Sequence, residues 1–325
     1  MTRAVLLNDT SARYHHGCSR VSRLLKSGLT ARGINITATA LAHTDWTRTP
    51  GFVDRLGQAD LIVINGEGTF HSGSDKGQRL LDVVDHPAAR GKPVAIVNTI
   101  WQDNPPDWAE VIRRCALVSA RDSASHANLV AAGVGQAILV PDLSLSERVQ
   151  VPAGYRAGLV VGDSVRHSVR THLARYAQSQ QATYVPSKTL SSAIWRHWPA
   201  HQLLWRVYNG VYSGKVPAFT MAPDEAAYLH ILSNAAGHVT GRFHGLCYSL
   251  LAELPFLAVG SVTSKVQVLV ADAGLNPARV VPVEALSSLP VPPPFDQTEL
   301  TNLRAYKALA QDRAADLFNR IAGLV

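Results

Sequence analysis

What this sequence has little of narrows it first. Three cysteines, Cys18, Cys115 and Cys247, stand far apart in 325 residues. They form no CxxC or Cys/His metal pattern, so reduced thiols in a cytosolic protein are expected and neither a disulfide framework nor a metal centre is. No apolar run is long enough to cross a bilayer. The opening segment MTRAVLLNDTS has too short an apolar run for a secretory signal. Charged residues make up 17% of the chain and no Lys/Arg run exceeds two. With no zinc-finger spacing and no long basic helix, nucleic acid is the weaker partner class. Yet the formal charge is +7, so small anionic partners such as phosphorylated metabolites fit well.

What is present is alternation. Hydrophobic residues reach 46%, as in a packed globular protein. Short apolar runs, Ala4–Leu7, Thr37–Leu41, Asp60–Asn65, Pro93–Thr99, Ala116–Ser119 and Ile138–Val140, recur between helical patterns. The same alternation restarts at Gly158–Gly162 and continues through Tyr184–Pro186, His238–Thr240, Phe256–Val259 and Val280–Val283. Buried runs separated by helices predict parallel sheets. Three segments are expected: an α/β domain over 1–150, a second over 151–295, and a C-terminal helix over 296–325. The proline spacer Pro290–Pro294 precedes that helix, which is expected to return across the domains. The stretch 187–214 breaks the pattern with Trp195, Trp198, Trp205, Tyr208 and Tyr212. An extra helical hairpin packed on the second domain accounts for most of these rings; one or two reaching a sugar, or a membrane surface, is the alternative.

Candidate site residues sit where strands end, the ligand side of an open parallel sheet. Asn8 and Asp9 close the first strand. His15 and His16 follow, read first as exposed loop histidines. Gly66-Glu67-Gly68-Thr69-Phe70-His71 closes the clearest strand; its glycines suit close backbone approach to a ligand. Glu67 is either a general base or a brace for its loop, and His71 is within reach. Arg121 ends another strand, where a guanidinium grips a carboxylate or phosphate; a pair with Asp122 is its structural alternative. Ser123 is expected to cap the next helix, and Asp163 is a weaker candidate. The stretch Val239–Val270 organises the rest. It carries Arg242, His244 and Gly245 at a strand-to-helix turn and Lys265 at a further helix start. Cations beside exposed helix-start amides make a site for a multiply charged anion.

In order along the chain, NDTS…HHGC, ADLIVINGEGTFH, SARDSAS, VPDLSLS and TGRFHGLCYSLLAELPFLAVGSVTSKV resemble the polysaccharide pyruvyl transferase family. The last motif is the most specific. The resemblance implies two Rossmann-like domains facing a cleft, glycosyltransferase-B-like. It also implies phosphoenolpyruvate as donor substrate and a sugar or glycan as acceptor. Beside it, no cofactor or metal is expected, and whether the acceptor is lipid-linked or polymeric, and whether the protein associates peripherally with a membrane, is left open. Arg121 and His244 fall at the family's donor-site positions, and Arg242 and Lys265 match basic positions of the same motifs. The first loop departs from the family's glycine-rich form. The chemistry expected is transfer of a pyruvyl group onto two sugar hydroxyls as a cyclic ketal, with cations from both halves converging on one groove. A nucleotide-sugar glycosyltransferase of the same architecture is the alternative, and a non-catalytic phosphosugar binder the third reading.

Overall fold

The apolar runs become the strands of two parallel sheets. A computed structural model describes residues 1–151, 154–190, 200–260, 264–288 and 291–325. Trp195, Trp198, Pro290 and part of the VGSVTSKV motif lie outside the described residues. The chain divides into two units: Met1–Arg13, Arg20–Glu147 and Ala308–Val325 form the first, Tyr14–Ser19 and Arg148–Lys307 the second.

In the first unit, β1 (Thr2–Asp9), β2 (Ile34–Leu41), β3 (Leu61–Asn65), β4 (Val94–Thr99), β5 (Leu117–Ala120) and β6 (Ile138–Leu139) lie in the order β2-β1-β3-β4-β5-β6. All pairings are parallel. Five helices join the strands: α1 (His16–Thr30), α2 (Phe52–Gln58), α3 (Asp75–Leu81), α4 (Pro106–Arg113) and α5 (Ser123–Ala131). Side chains alternate across a strand, and both faces of this sheet are covered. Val5, Leu7, Ile62, Ile64 and Ile96 join one core with Phe52, Trp101 and Trp108. Ala4, Leu6, Leu61, Val63 and Val97 join the other with Val21, Leu25 and Leu29 of α1. That double cover is why these strands read as continuous apolar runs rather than alternating ones.

The second unit holds β7 (Leu159–Ser164), α6 (His167–Ser179), β8 (Thr183–Tyr184), α7 (Ala200–Asn209), α8 (Glu225–Ser233), β9 (Gly237–Gly241), α9 (Phe243–Leu251), β10 (Phe256–Val259), α10 (Lys265–Asp272) and β11 (Val280–Val281). Its strand order is β11-β10-β9-β7-β8, again parallel. Every residue of α9 is buried, as its all-round apolar composition demands. From the aromatic stretch, Trp205 is fully buried and meets Tyr184 edge-on at 6.5 Å. Tyr212 is exposed. The last helix, α11 (Gln297–Ala322), gives its first turns to the second unit and the remainder to the first, where Ala314, Leu317 and Ile321 enter the core beside α1. Among the described residues, no helix is long and apolar enough to cross a membrane.

Two local expectations are corrected. The first helix starts at His16, a residue read from the sequence as part of a loop. The cap of α5 is Asp122, not Ser123: the Asp122 carboxylate accepts the Ser125 N–H at 2.7 Å. A carboxylate at the cap also faces the positive end of the helix dipole, an advantage a hydroxyl lacks.

Candidate functional site

Each unit carries its own cluster of polar groups at strand ends. In the first, Asn8 is the penultimate residue of β1, a non-glycine residue with φ of +60°, a conformation asparagine tolerates better than most. Its Nδ2 donates to the Asn65 carbonyl at 2.6 Å and to Thr69 Oγ1 at 3.1 Å, joining the ends of β1 and β3. Asp9 pairs with Lys26 at 2.6 Å and accepts the Ser11 N–H at 3.0 Å. Burial alone would raise its carboxyl, but these two partners outweigh it and hold it below the usual carboxylate range.

Glu67 is buried and accepts Thr10 Oγ1–H at 2.8 Å and Asn65 Nδ2–H at 3.4 Å. These are the contacts of a brace, one of its two roles weighed from the sequence. Gly66 faces Thr99, and Gly68 takes a φ of +61° that favours glycine. His71 is half-buried, with Ser72 Oγ at 3.3 Å.

Arg121 is buried at the end of β5. Carboxylate oxygens of Asp142 and Asp122 stand 3.6 and 3.7 Å from its guanidinium nitrogens, beyond hydrogen-bond length. Both acids also serve the backbone. Asp122 caps α5, and Asp142 accepts the Ser144 N–H at 2.9 Å.

The second unit is tighter. Arg242 is the residue before α9. Its Nη2 and Nε donate to a single oxygen, Asp163 Oδ2, at 2.5 and 3.1 Å. Tyr208 O–H donates to the same oxygen at 2.8 Å, and the Ser187 N–H to Oδ1 at 2.9 Å. Burial would raise the Asp163 carboxyl, but Arg242 and these donors more than reverse it. Burial likewise would lower the Arg242 guanidinium, and Asp163 instead raises it. Both groups stay ionised. The sequence ranked Asp163 low and placed Tyr208 among packing aromatics. Asp163 lies 79 positions from Arg242 and 45 from Tyr208 in the chain, so no local signal joins them.

His244 follows Arg242 by two residues, in the first turn of α9, and is buried. Gly245 packs against Thr240, whose Oγ1 would stand 2.4 Å from a Cβ at that position. Lys265 opens α10 and is half-buried. His15 and His16 are not exposed loop residues. His16 is buried and stacks on Tyr228 at 4.9 Å, and His15 is half-buried with its ring 5.4 Å from His244. The Tyr14–Ser19 segment folds into the second unit, which covers them. Desolvation drops the His16 imidazole to about 4 and that of His238, which sits 2.7 Å from Ser249 Oγ, to about 3. Elsewhere in this unit, a cavity of about 720 Å³ opens beside β10 and β11. Arg166, Gln267 and Glu284 line it with an apolar floor, and none of Arg242, His244 and Lys265 does.

Two parallel sheets, each with helices, define a Rossmann-like, glycosyltransferase-B-like α/β protein, the class expected from the sequence. Solved structures agree on the fold. UDP-GlcNAc 2-epimerase of Methanocaldococcus jannaschii, in complex with UDP-GlcNAc and UDP, matches with a TM-score of 0.55 at 9% identity, over 98% of this chain and 99% of that one. UDP-GlcNAc 2-epimerase of Neisseria meningitidis, bound to UDP-GlcNAc, matches at 0.52 and 8% identity, over 99% of each chain. At such identity the likeness is one of fold alone. No curated protein matches the sequence. The sequence model for polysaccharide pyruvyl transferase spans residues 5–261, and the chain belongs to that family.

Proposed function

We propose that this chain moves the pyruvyl group of phosphoenolpyruvate onto two hydroxyls of a sugar in a cell-surface polysaccharide or its precursor. The observation that carries this reading, in a chain of this family, is the start of α9. There a guanidinium fixed by a buried carboxylate and an imidazole stand two residues apart. The first suits an anionic donor and the second is a side chain that commonly serves as a general acid.

In this reading His244 protonates the donor's methylene carbon, which leaves positive character on the adjacent carbon. One sugar hydroxyl attacks that carbon and gives up its proton. The carbon–oxygen bond to phosphate then breaks, and the second hydroxyl closes the ring as its proton leaves. One proton ends on the new methyl group, and the other balances departure of inorganic phosphate. Arg242 and Lys265 hold the donor's charged groups, and Arg121 is assigned to the same class of anion. Glu67 or Asp9 is assigned the hydroxyl proton. Gly68 leaves room for close backbone approach, while Gly66 and Gly245 pack on Thr99 and Thr240, and Asn8 fixes the end of β1.

Incubation with phosphoenolpyruvate and a panel of glycans should release inorganic phosphate and add a pyruvyl mass increment to one acceptor. His244→Ala should lower turnover by about 100-fold or more, the usual contribution of a positioned acid. Release of a nucleoside diphosphate from a nucleotide sugar, with phosphoenolpyruvate inert, would sink the reading.

A further inference from the structure

The segment His15-His16-Gly17-Cys18 belongs to the second unit and packs on the start of α9. Main-chain bonds tie it down. The His16 N–H donates to the Ser187 carbonyl at 3.1 Å, and the Thr189 N–H to the Tyr14 carbonyl at 2.9 Å. Gly17 lies directly on the His244 side chain, where a Cβ would stand 2.1 Å from His244 Cγ. Only glycine allows that approach.

This contact gathers three ligand atoms. A ring nitrogen of His15, the Cys18 sulfur and a ring nitrogen of His244 all lie within 4.8 Å of one another. The Cys18 N–H donates to His15 Nδ1 at 3.4 Å, which couples the first ring to the thiol's own backbone. Cys18 and His244 are buried, while His15 is half-buried and leaves an approach from solvent. The sequence gives His-x-x-Cys, but the third member is 226 positions beyond Cys18, so chain spacing cannot reveal the group.

Two imidazoles and a thiolate make a nitrogen and sulfur set, which selects zinc-like cations over magnesium or calcium. Tetrahedral zinc holds such ligand atoms roughly 3.3–3.6 Å apart. The widest separation must therefore close by roughly 1.2 Å, shared among three side chains. Three protein ligands leave a fourth position for water or an anionic oxygen.

We propose that His15, Cys18 and His244 form a binding site for a thiophilic divalent cation, with Zn²⁺ as its representative, and that filling it inhibits the enzyme. On binding, the Cys18 thiol releases its proton to solvent. The thiolate and one lone pair from each imidazole form the three bonds, and no electron changes hands. Inhibition rests on the reading of His244 as the proton donor, because a metal-bound ring nitrogen can no longer be protonated. Metal binding does not rest on it.

The test uses the full chain and Co²⁺ as a spectroscopic probe. Wild type should show the visible bands of tetrahedral cobalt with a near-ultraviolet thiolate-to-cobalt charge-transfer band, both displaced by Zn²⁺. Cys18→Ser should lose the charge-transfer band, and Cys18→Ser and His15→Asn should each weaken Zn²⁺ binding at least about 100-fold, since loss of even an outer-shell partner costs 10–100-fold. Circular dichroism melts establish that the variants are folded; should Cys18→Ser unfold, the half-buried His15→Asn carries the test. Zn²⁺ should abolish pyruvyl transfer by wild type, reversibly with a chelator, and spare Cys18→Ser. Absence of the thiolate band in wild type, or unchanged affinity in both variants, overturns the site. Undiminished turnover of zinc-loaded enzyme overturns the inhibition alone. If phosphoenolpyruvate is not turned over at all, the functional reading fails, while the cobalt spectrum, which needs no substrate, still supports the site.

Discussion

Arg121 and Arg242 look alike in the sequence, each an arginine just past the end of a parallel strand. The units place them in different electrostatic settings. Arg242 puts two donors on one oxygen of Asp163, an acid with Tyr208 and Ser187 as its further donors. Arg121 stands 3.6–3.7 Å from two acids that also hold backbone N–H groups. A buried pair with its hydrogen bonds made is costly to break, because removing one partner strands a charge. An acid that caps a helix is replaceable at the cost of the cap. The same residue type at the same place in a sheet thus puts two donors on one acid in one unit and stands between two acids in the other.

The comparison can be broken most directly at the acids. Asp163→Ala should lower stability by about 3–5 kcal/mol, and Asp122→Ala by only about 1 kcal/mol, read as urea midpoints. Equal losses would erase the distinction. Acid should also find the second unit first. His16 has its folded pKa at about 4, below the ordinary 6.5, so the unfolded chain takes up that proton first. Its contribution is fully present above about pH 6.5 and is lost as pH falls through about 4, with a size of about 3 kcal/mol. His238, at about 3, extends the loss to lower pH. Hydrogen exchange between pH 6.5 and 4 should show the second unit loosening, and His16→Asn should flatten the slope.

Smaller changes sharpen the contrast. Tyr208→Phe removes one hydrogen bond to a charged acceptor and should cost about 1.5–2 kcal/mol in thermal or urea melts. Lysine for arginine keeps the charge but loses the planar fork. Arg242→Lys and Arg121→Lys should therefore each lower kcat/KM about tenfold, about 1.4 kcal/mol, and Arg242→Lys should lower the melting temperature as well.

Much of this was legible beforehand. The run Phe256–Val259 is β10 to the residue, and Lys265 opens α10. The strand before Arg242 runs one residue further at each end than His238–Thr240. Such elements announce themselves because burial on both faces leaves an uninterrupted apolar signature. Apart from Asp122 beside Arg121, the partners of the site residues were not legible. Asp163 reaches Arg242 from 79 positions away and Tyr208 reaches Asp163 from 45. The covering of His15 and His16 was also hidden, because a short loop after a first strand is ordinarily on the surface.

The sequence by itself determined the alternation of strands and helices, the family, and the positions of the cations at strand ends and helix starts. Those properties are written in the order of a few neighbouring residues. The tertiary structure alone decided which carboxylate Arg242 meets, which histidines lose their water, and that a cysteine near the start of the chain lies beside a histidine 226 residues later. Pairing and desolvation depend on distances in space, and packing sets these between segments that the chain's local pattern never compares.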